Sequence, residues 1–564
     1  MSKINGSNSS GDWGKRFISQ HEMREPHRSQ KSAQANEAAT PVDERPMIRV
    51  EGGDQHIVVD RAEAVIAQCE NLYQHANRLV LVTEQHPPNL TGQVTNSCSS
   101  PETSVARMEA VNPEWLTTEL SRRIRWINPG SRNGPPHYLA RALIGNRKWP
   151  NVRTLEATTA SPILRPDGTV RTEPGYDRET RLLLTTSEAF LPLPDKPSKA
   201  DAQSAIKVLL GVFQHYLFDS HAHASTALSL ILTRLARHLM PLAPFHLISS
   251  SSAGTGKTEV IKAVSWICDG ADASLRSWPK NDEELHKVIT SCLLASKTMV
   301  CFDNFPSNKE IASPVLDQIL TAPFYEGRVL GKSKNVYAKN NLVLVGTGNN
   351  VRFAQDSIRR VIVARVLPVS PEPWKCAFPW TPSGYARTHR RELLRAACTV
   401  LSAFIQAGKP APDGIANLGS FEEWSTLVRN ALIWLDQDDP CVTQDEFLAA
   451  DSGTEDLLKL IEALRSRYQD RWFSAADVIE AIRESPTTCG ALRDIIQALY
   501  LAVDRPEGQV TAKWLGRYFY DHKEVIVGGQ YLFAHQDKNT HTNRWCIRCG
   551  TEMSGVRVVA SSCE

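Results

Sequence analysis

Along this chain of 564 residues the spacing of apolar positions changes character several times. Residues 1–46 are rich in Ser, Asn, Gln, Glu and Arg and poor in β-branched residues. They carry too little apolar surface to fold alone and read as a disordered tail, with order expected from Met47. HIVVDRAEAVIAQ (56–68) predicts a strand running into a helix, and NRLVLVTE (77–84) a strand. Residues 86–104, with Pro87, Pro88, Asn89 and Gly92, predict a loop. An α+β module is therefore expected over 47–195. Pro192, Pro194, Pro197 and Ser198 mark a linker into helical runs at 200–218 and 222–239. The second run has Leu228, Leu230, Ile231, Leu235 and Leu239 at helical spacing. From Pro244 to about Leu367 short apolar runs alternate with helix-length segments, which predicts an α/β core with a parallel sheet and covering helices. Residues 385–437 read mostly as helix, and a break at Asp438–Pro440 precedes a last small domain at 455–550.

Within the α/β region, the apolar Phe245, Leu247 and Ile248 lead into SSSSAGTGKTEV (249–260), and a helix-like run follows to Trp266. Strand, Gly-containing loop, then helix is the setting of a phosphate-binding P-loop. Backbone N–H groups of Ser252, Ala253, Gly254, Thr255 and Gly256 would face the phosphates of ATP, and the new helix adds its positive end. Lys257 would reach the outer phosphates, and the Thr258 hydroxyl would ligate Mg²⁺. Ser251 stands where the motif usually has its first Gly.

TMVCFDN (298–304) is apolar until Asp303, which places a carboxylate at the C-terminal end of a strand. There it can hold Mg²⁺ next to the phosphates. The following residue is Asn304, where such sites often carry Glu; an amide can orient a water but cannot take its proton. Glu310 is a nearby substitute. LVLVGTGNN (342–350) ends in Asn349 and Asn350, suited either to the γ-phosphate and its water or to an ordinary turn. In SIRRVIVARV (357–366), Arg359 and Arg360 stand at the foot of another apolar strand. A guanidinium fork there suits a phosphate held by a neighbouring subunit, or a surface ion pair. EGRVLGKSKNVYAKNN (326–341) reads as a hairpin whose tip carries Lys332 and Lys334, placed to grip a nucleic-acid backbone unless it is simply a solvated turn.

The flanks add further cations. Residues 121–150 hold Arg122, Arg123, Arg125, Arg132, Arg141, Arg147 and Lys148 with no acid, interleaved with Trp126, His137, Tyr138 and Trp149. They fit either a single-strand contact or amphipathic helices with Trp in the core. The last domain reads as helices at 474–482, 490–503 and 511–521, with strands near 524–527, 530–534 and 544–547. Ser474 and Asp477 have capping-box spacing. Three helices and a hairpin predict a winged helix, with Lys513 and Arg517 on one face and residues 535–544 as the wing, suited either to DNA contact or to docking on a protein. Cys546 and Cys549 form a lone CxxC, short of the ligands a zinc site needs.

P-loop, Asp-Asn strand, basic hairpin, Thr-Gly-Asn-Asn strand and Arg-Arg, in that order, resemble an AAA+ ATPase. They are similar to the helicases of prophages and mobile elements, MCM-like or superfamily-3-like, with a hairpin before the sensor-1 strand. The resemblance covers residues 200–440 and implies an AAA+ ATPase domain with a helical lid. It gives Asn349 the sensor-1 role and Arg360 or Arg359 the finger, with Arg429 as a second sensor. It implies a ring, six subunits being the expected size, that hydrolyses ATP with Mg²⁺ and moves on single-stranded and forked DNA.

Whole-chain composition narrows the picture little. Lys+Arg 64 against Asp+Glu 62 gives +2, so any DNA footprint must be local. Twelve cysteines without framework spacing fit reduced thiols, hence a cytoplasmic protein. No apolar run reaches about 18 residues, so no membrane span is expected. Two other functions compete with the helicase. One is a primase-helicase, although Asp54, Asp60 and Glu63 are scattered. The other is a nucleotide-switched loader or DNA-binding regulator with little hydrolysis, which Asn304 favours.

Overall fold

The computed structural model describes residues 43–549 apart from 51–52, 86–104, 129–132, 187, 308–309, 329–334, 371, 377, 450–451, 485–488, 503–509, 524–526, 528 and 537–542. Lys332 and Lys334, most of the expected tail, the 86–104 loop and most of the expected wing therefore lie outside the described residues. Residues 1–45 and 46–564 form separate units, and every strand and helix among the described residues belongs to the second.

Among the described residues, six strands build the central sheet, in the order 217–218, 361–367, 245–250, 343–349, 299–305, 275–277. The short first strand runs antiparallel to its neighbour and the other pairings are parallel. The strand Phe245–Ser250 is buried at every residue. Val343, Val345, Val361, Ile362 and Val363 have no exposed surface. Burial on both faces is why these strands read as continuous apolar runs rather than as alternation. Taken in chain order, the parallel strands lie 5-1-4-3-2. The direction of travel thus reverses about the strand 245–250, and its C-terminal end is where an open α/β sheet forms its ligand crevice.

Close packing explains two features of the sheet. Phe245 and Phe305 meet edge to face across it, 5.9 Å between centroids. Between them lies Gly346, where a Cβ would collide with both rings. The helix His221–Ala236 beneath the sheet is buried at all positions but His221 and Ala224, so its apolar character extends round the axis. Arg237, at its end, is buried and donates to the carbonyls of Leu342, Met240, Asn340 and Pro241. It thereby ties the helix to the approach of the strand 343–349.

Several elements differ from expectation. HIVV is not a strand: residues Gln55–Ile66 form one helix whose Val58, Val59, Ala62 and Ile66 face a core with Leu116, Leu120 and Leu143. Three-residue contact spacing outweighs the β preference of a short Ile-Val-Val run. The run at 200–218 is a helix only over Lys199–Leu210; a 3₁₀ turn then releases Leu217–Phe218 to pair with Leu367 and Val366. The break at 438–440 is an ordered turn. Asp439 there accepts from Arg429, and the following helix Val442–Ala449 lies on the strand 361–367, with Thr443 Oγ1 accepting from the Val363 N–H.

In the N-terminal part, Trp126 and Trp149 are buried, each indole N–H donating to a carbonyl six residues earlier, Leu120 and Leu143. The two indoles therefore belong to the core rather than to a base-stacking surface. At the C-terminal end, helices Ser452–Tyr468, Ala475–Glu484, Gly490–Ala502 and Ala512–Asp521 pack around the hairpin 530–536/543–549. Ser474 and Asp477 make both bonds of a capping box. Among the described residues no helix is long and apolar enough to cross a membrane.

Candidate functional site

The strand 245–250 ends in the loop 251–256, and the helix Lys257–Asp269 begins directly after it. Gly254 and Gly256 lie at φ 76° and 83°, so the loop curls in a conformation that a side chain disfavours. Gly256 is also crowded. Its carbonyl accepts from the Tyr216 hydroxyl at 2.7 Å, and a Cβ at this position would lie 2.5 Å from that oxygen. Lys257 folds over the loop, Nζ donating to the Ser252 carbonyl at 2.9 Å and to Thr255 Oγ1 at 3.1 Å. Burial pulls its pKa below the ordinary lysine value, and nearby Asp303 opposes that shift. The ammonium thus folds over the loop at a helix start, the end of a helix at which a polyanion is favoured.

The strand 299–305 delivers Asp303 to this point. Its Oδ1 accepts from Thr258 Oγ1 at 2.9 Å and from Thr347 Oγ1 at 2.6 Å. Thr347 comes from the neighbouring strand 343–349, and its hydroxyl also accepts from the Asn304 N–H at 2.9 Å. Sequence reasoning misses Thr347, because the amides are the more conspicuous groups in Thr-Gly-Asn-Asn. Asn304 lies at φ 62°, at a shift of register in which Phe302 faces Gly346 and Phe305 faces Gly348. Asn tolerates this left-handed backbone better than Glu does. Its exposed side chain leaves Asp303 without a carboxylate next to it in sequence. Asn349 pairs in register with Ser250, the residue that opens the loop. Its Oδ1 is buried and has no hydrogen-bond partner among the described residues, so an unsatisfied amide stands beside the loop. Glu310 is exposed, on a short strand paired with Arg352.

Beside the loop opens a cavity of about 230 Å³ whose walls include His215, Trp374, Phe378 and Trp380. Trp374 packs over Gly254, and the His215 and Trp380 rings are 4.6 Å apart. Tyr216 forms the floor. Burial pushes its phenol well above the usual value, so it stays protonated as the donor to Gly256. Glu259, in the first turn of the helix, accepts from Ser383 and Lys262. Burial alone would raise its pKa, but these hydrogen bonds outweigh it and hold the carboxyl below its ordinary value. None of these aromatic residues stands out in the sequence, since they come from two short stretches, 215–216 and 374–380, that lie more than a hundred residues apart and meet only in the fold.

Arg359 and Arg360 precede the strand 361–367, whose Val361 pairs with Phe245. They therefore sit at the opposite end of the sheet from the loop, about 16 Å away along the strand. Arg359 is exposed, whereas Arg360 Nη1 bonds Asp317 at 2.8 Å. Arg429 is buried and held by Asp439, with bonds of 2.8 and 2.6 Å, and by the Ala416 carbonyl. This guanidinium is committed inside the chain and is not free to serve as a second sensor. Lys513 and Arg517 are both exposed, one turn apart on the helix Ala512–Asp521. Of the scattered N-terminal acids, Glu63 is buried and accepts from Asn151.

No known family's sequence profile matches the chain, and no curated protein matches it. Solved structures align with it at low similarity. The apo NrS-1 C-terminal region is 14% identical, covering 79% of this chain and 93% of its own, with a TM-score of 0.32. The JCV helicase is 13% identical over 42% and 67%, with a TM-score of 0.20. The active helicase Cch of SCCmec type IV is 13% identical over 75% and 83%, with a TM-score of 0.27.

Proposed function

We propose that this chain is an ATP hydrolase that moves DNA: a helicase or replication initiator of the kind carried by mobile elements, with an AAA+ P-loop core and a C-terminal winged helix. The observation that carries the reading is the convergence of Lys257 and Thr258, at the start of the helix after the loop, with Asp303, from the strand 299–305, at the C-terminal edge of the sheet, Thr258 and Asp303 being in direct contact. A hydroxyl and a carboxylate beside a phosphate-binding loop are oxygen donors of the kind Mg²⁺ takes. Thr258 and Asp303 would hold that ion, which supplies charge neutralisation for the terminal phosphates. Lys257 would exchange its loop partners for the outer phosphates. Asn349 would use its unpaired amide to orient the attacking water. The aromatic cavity would take the base. Arg359, too far from its own loop, would act on the nucleotide of the next subunit in a ring, for which a hexamer is the expected size. DNA contacts would come from Lys332 and Lys334 on the hairpin and from Lys513 and Arg517.

A second reading has one observation in its favour. Asn304, exposed and carrying no carboxylate, suits a nucleotide-switched loader that turns over slowly. ATP turnover with and without single-stranded DNA, together with unwinding of forks bearing either tail polarity, separates the readings. Stimulated turnover with unwinding supports the motor. Tight ATP binding with negligible turnover supports the switch, and nucleotide incorporation would reveal a primase.

A further inference from the structure

Tyr216 lies outside the phosphate-binding loop in sequence and grips it in the fold. Its phenol donates to the Gly256 carbonyl at 2.7 Å, and the Glu259 N–H donates to the same oxygen at 2.9 Å. Two donors occupy both lone pairs of that carbonyl. The phenol is anchored by contacts that do not involve the loop. The Tyr216 N–H donates to the Phe213 carbonyl at 2.8 Å. Its ring meets Phe213 edge to face and stacks on Phe218, with centroids 6.3 and 6.0 Å away. The next two residues, Leu217 and Phe218, pair with the strand 361–367. Burial and the nearby Glu259 carboxylate both push the phenol's pKa up, so the hydroxyl keeps its proton. The sheet therefore fixes a donor that holds one peptide of the loop.

The peptide in question joins Gly256 to Lys257. Glycine in the left-handed region gives it rotational freedom that another residue would lack. In a trans peptide the carbonyl and the N–H point to opposite sides. With the Gly256 carbonyl held by Tyr216 and Glu259, the Lys257 N–H is turned the other way. That N–H opens the helix Lys257–Asp269, so no carbonyl within the helix is placed to accept from it. A rotated peptide would present the carbonyl oxygen in its place and repel an anion. We infer that Tyr216 is a positioning residue for the nucleotide: it holds the 256–257 peptide in the orientation that offers the Lys257 N–H to a phosphate. The same side chain lines the aromatic cavity, so it borders the places proposed for base and phosphates alike. The inference rests on the ATP-binding reading of the loop and adds to it a residue that acts through the backbone.

Tyr216→Phe keeps the ring and removes the donor. The test measures how tightly the full chain binds ADP, inorganic tripolyphosphate, which has phosphates without a base, and adenosine, which has a base without phosphates. The variant is expected to bind ADP and tripolyphosphate about fivefold more weakly than the wild type, the scale of one neutral hydrogen bond, with adenosine unaffected. The KM for ATP should rise by the same factor while kcat stays within about twofold, because the contact serves ground state and transition state alike. Unchanged ADP affinity in the variant overturns the inference. Equal losses on ADP and adenosine with tripolyphosphate unaffected also overturn it and make Tyr216 a wall of the base site alone. A loss on all three with a lower denaturant midpoint would make it a general support of the fold, and a fall in kcat at constant KM contradicts it as well. A wild type that binds neither ADP nor tripolyphosphate overturns the ATP-binding reading together with the positioning role. A chain whose ADP affinity falls in Lys257→Ala but not in Tyr216→Phe overturns the positioning role alone.

Discussion

Thr258 Oγ1 and Asp303 Oδ1 are 2.9 Å apart, although 45 residues separate them in the chain. The contact joins the first turn of a helix to the end of a strand two places away in the sheet, and it brings together the two side chains proposed to share a metal ion. Thr258→Val keeps the shape and removes the oxygen. We expect it to lower ATP turnover roughly 100-fold, with partial recovery at high Mg²⁺ concentration. Lys257→Ala should lower turnover by roughly 100- to 1,000-fold, the scale seen when a preorganised charge partner is removed. Steady-state phosphate release at varied Mg²⁺ distinguishes the two; retention of normal turnover by Lys257→Ala would end the P-loop reading.

Thr347 provides a prediction that the phosphate motif alone does not. Its hydroxyl donates to Asp303 and accepts from the Asn304 backbone, so it holds both residues of the bulge in place. Thr347→Val is nearly isosteric and leaves a half-buried N–H and a carboxylate oxygen each short of one partner. The expected cost is about 1–2 kcal/mol of stability, with turnover falling while the KM for ATP changes little. Thr347→Ser should recover both. Denaturant midpoints and a kcat-against-KM comparison check this.

The central core should be sensitive to acid. Burial holds the His246 imidazole at about 3, although the neighbouring Pro244 backbone opposes the shift; the ring's Nε2 lies 3.1 Å from Ser229 Oγ. Burial likewise holds His238 at about 4, against the bond to the Leu164 carbonyl. In the unfolded chain both titrate near about 6.5. Above that pH both states are neutral and the folded state keeps its full advantage. As the pH falls from about 6.5 toward 4, the unfolded chain takes up protons that the folded chain refuses, so stability declines by up to about 1.4 kcal/mol per pH unit for each group. Denaturant midpoints should be level from about pH 7.5 to 6.5 and drop below that; a profile that stays level to about pH 5, where carboxylates take over, would contradict it.

How much of the fold and the site is legible in the sequence depends on what carries the signal. The apolar run into Ser249, the two loop glycines and the helix from Lys257 are local, and local spacing locates them. Asp303 shows itself as the first charge after an apolar run. Asn304 reads as a missing base, whereas its backbone at φ 62° makes it a bulge residue as well. Gly346 carries no signal of its own in LVLVGTGNN, whereas the crossing of Phe245 and Phe305 requires a residue without a side chain there. Tyr216 reads as helical because nothing nearby signals the end at Leu210; the signal is the pairing of the next two residues with a strand some 150 residues away. Pairings across such separations, like Arg429 with Asp439 across a turn that reads as a linker, are set by the tertiary structure and leave no periodic trace.

The two adjacent arginines should separate cleanly. Arg360 is half-buried and bonds Asp317, whose carboxylate also accepts from Ser357. Arg360→Ala should therefore strand a partly buried charge and cost about 1–2 kcal/mol of stability. Arg359 is exposed at the far end of the sheet from its own loop, and Arg359→Ala should leave the denaturant midpoint within about 0.5 kcal/mol of wild type. If Arg359 serves the next subunit, the variant alone should turn over ATP poorly while still binding it. Mixing it with Lys257→Ala should then recover activity, because an interface that takes its loop from the Arg359→Ala copy and its arginine from the Lys257→Ala copy is intact. A mixture no more active than the sum of its parts would mean that the arginine acts elsewhere, and a homogeneous Arg359→Ala sample with full turnover would mean that it does not act at all.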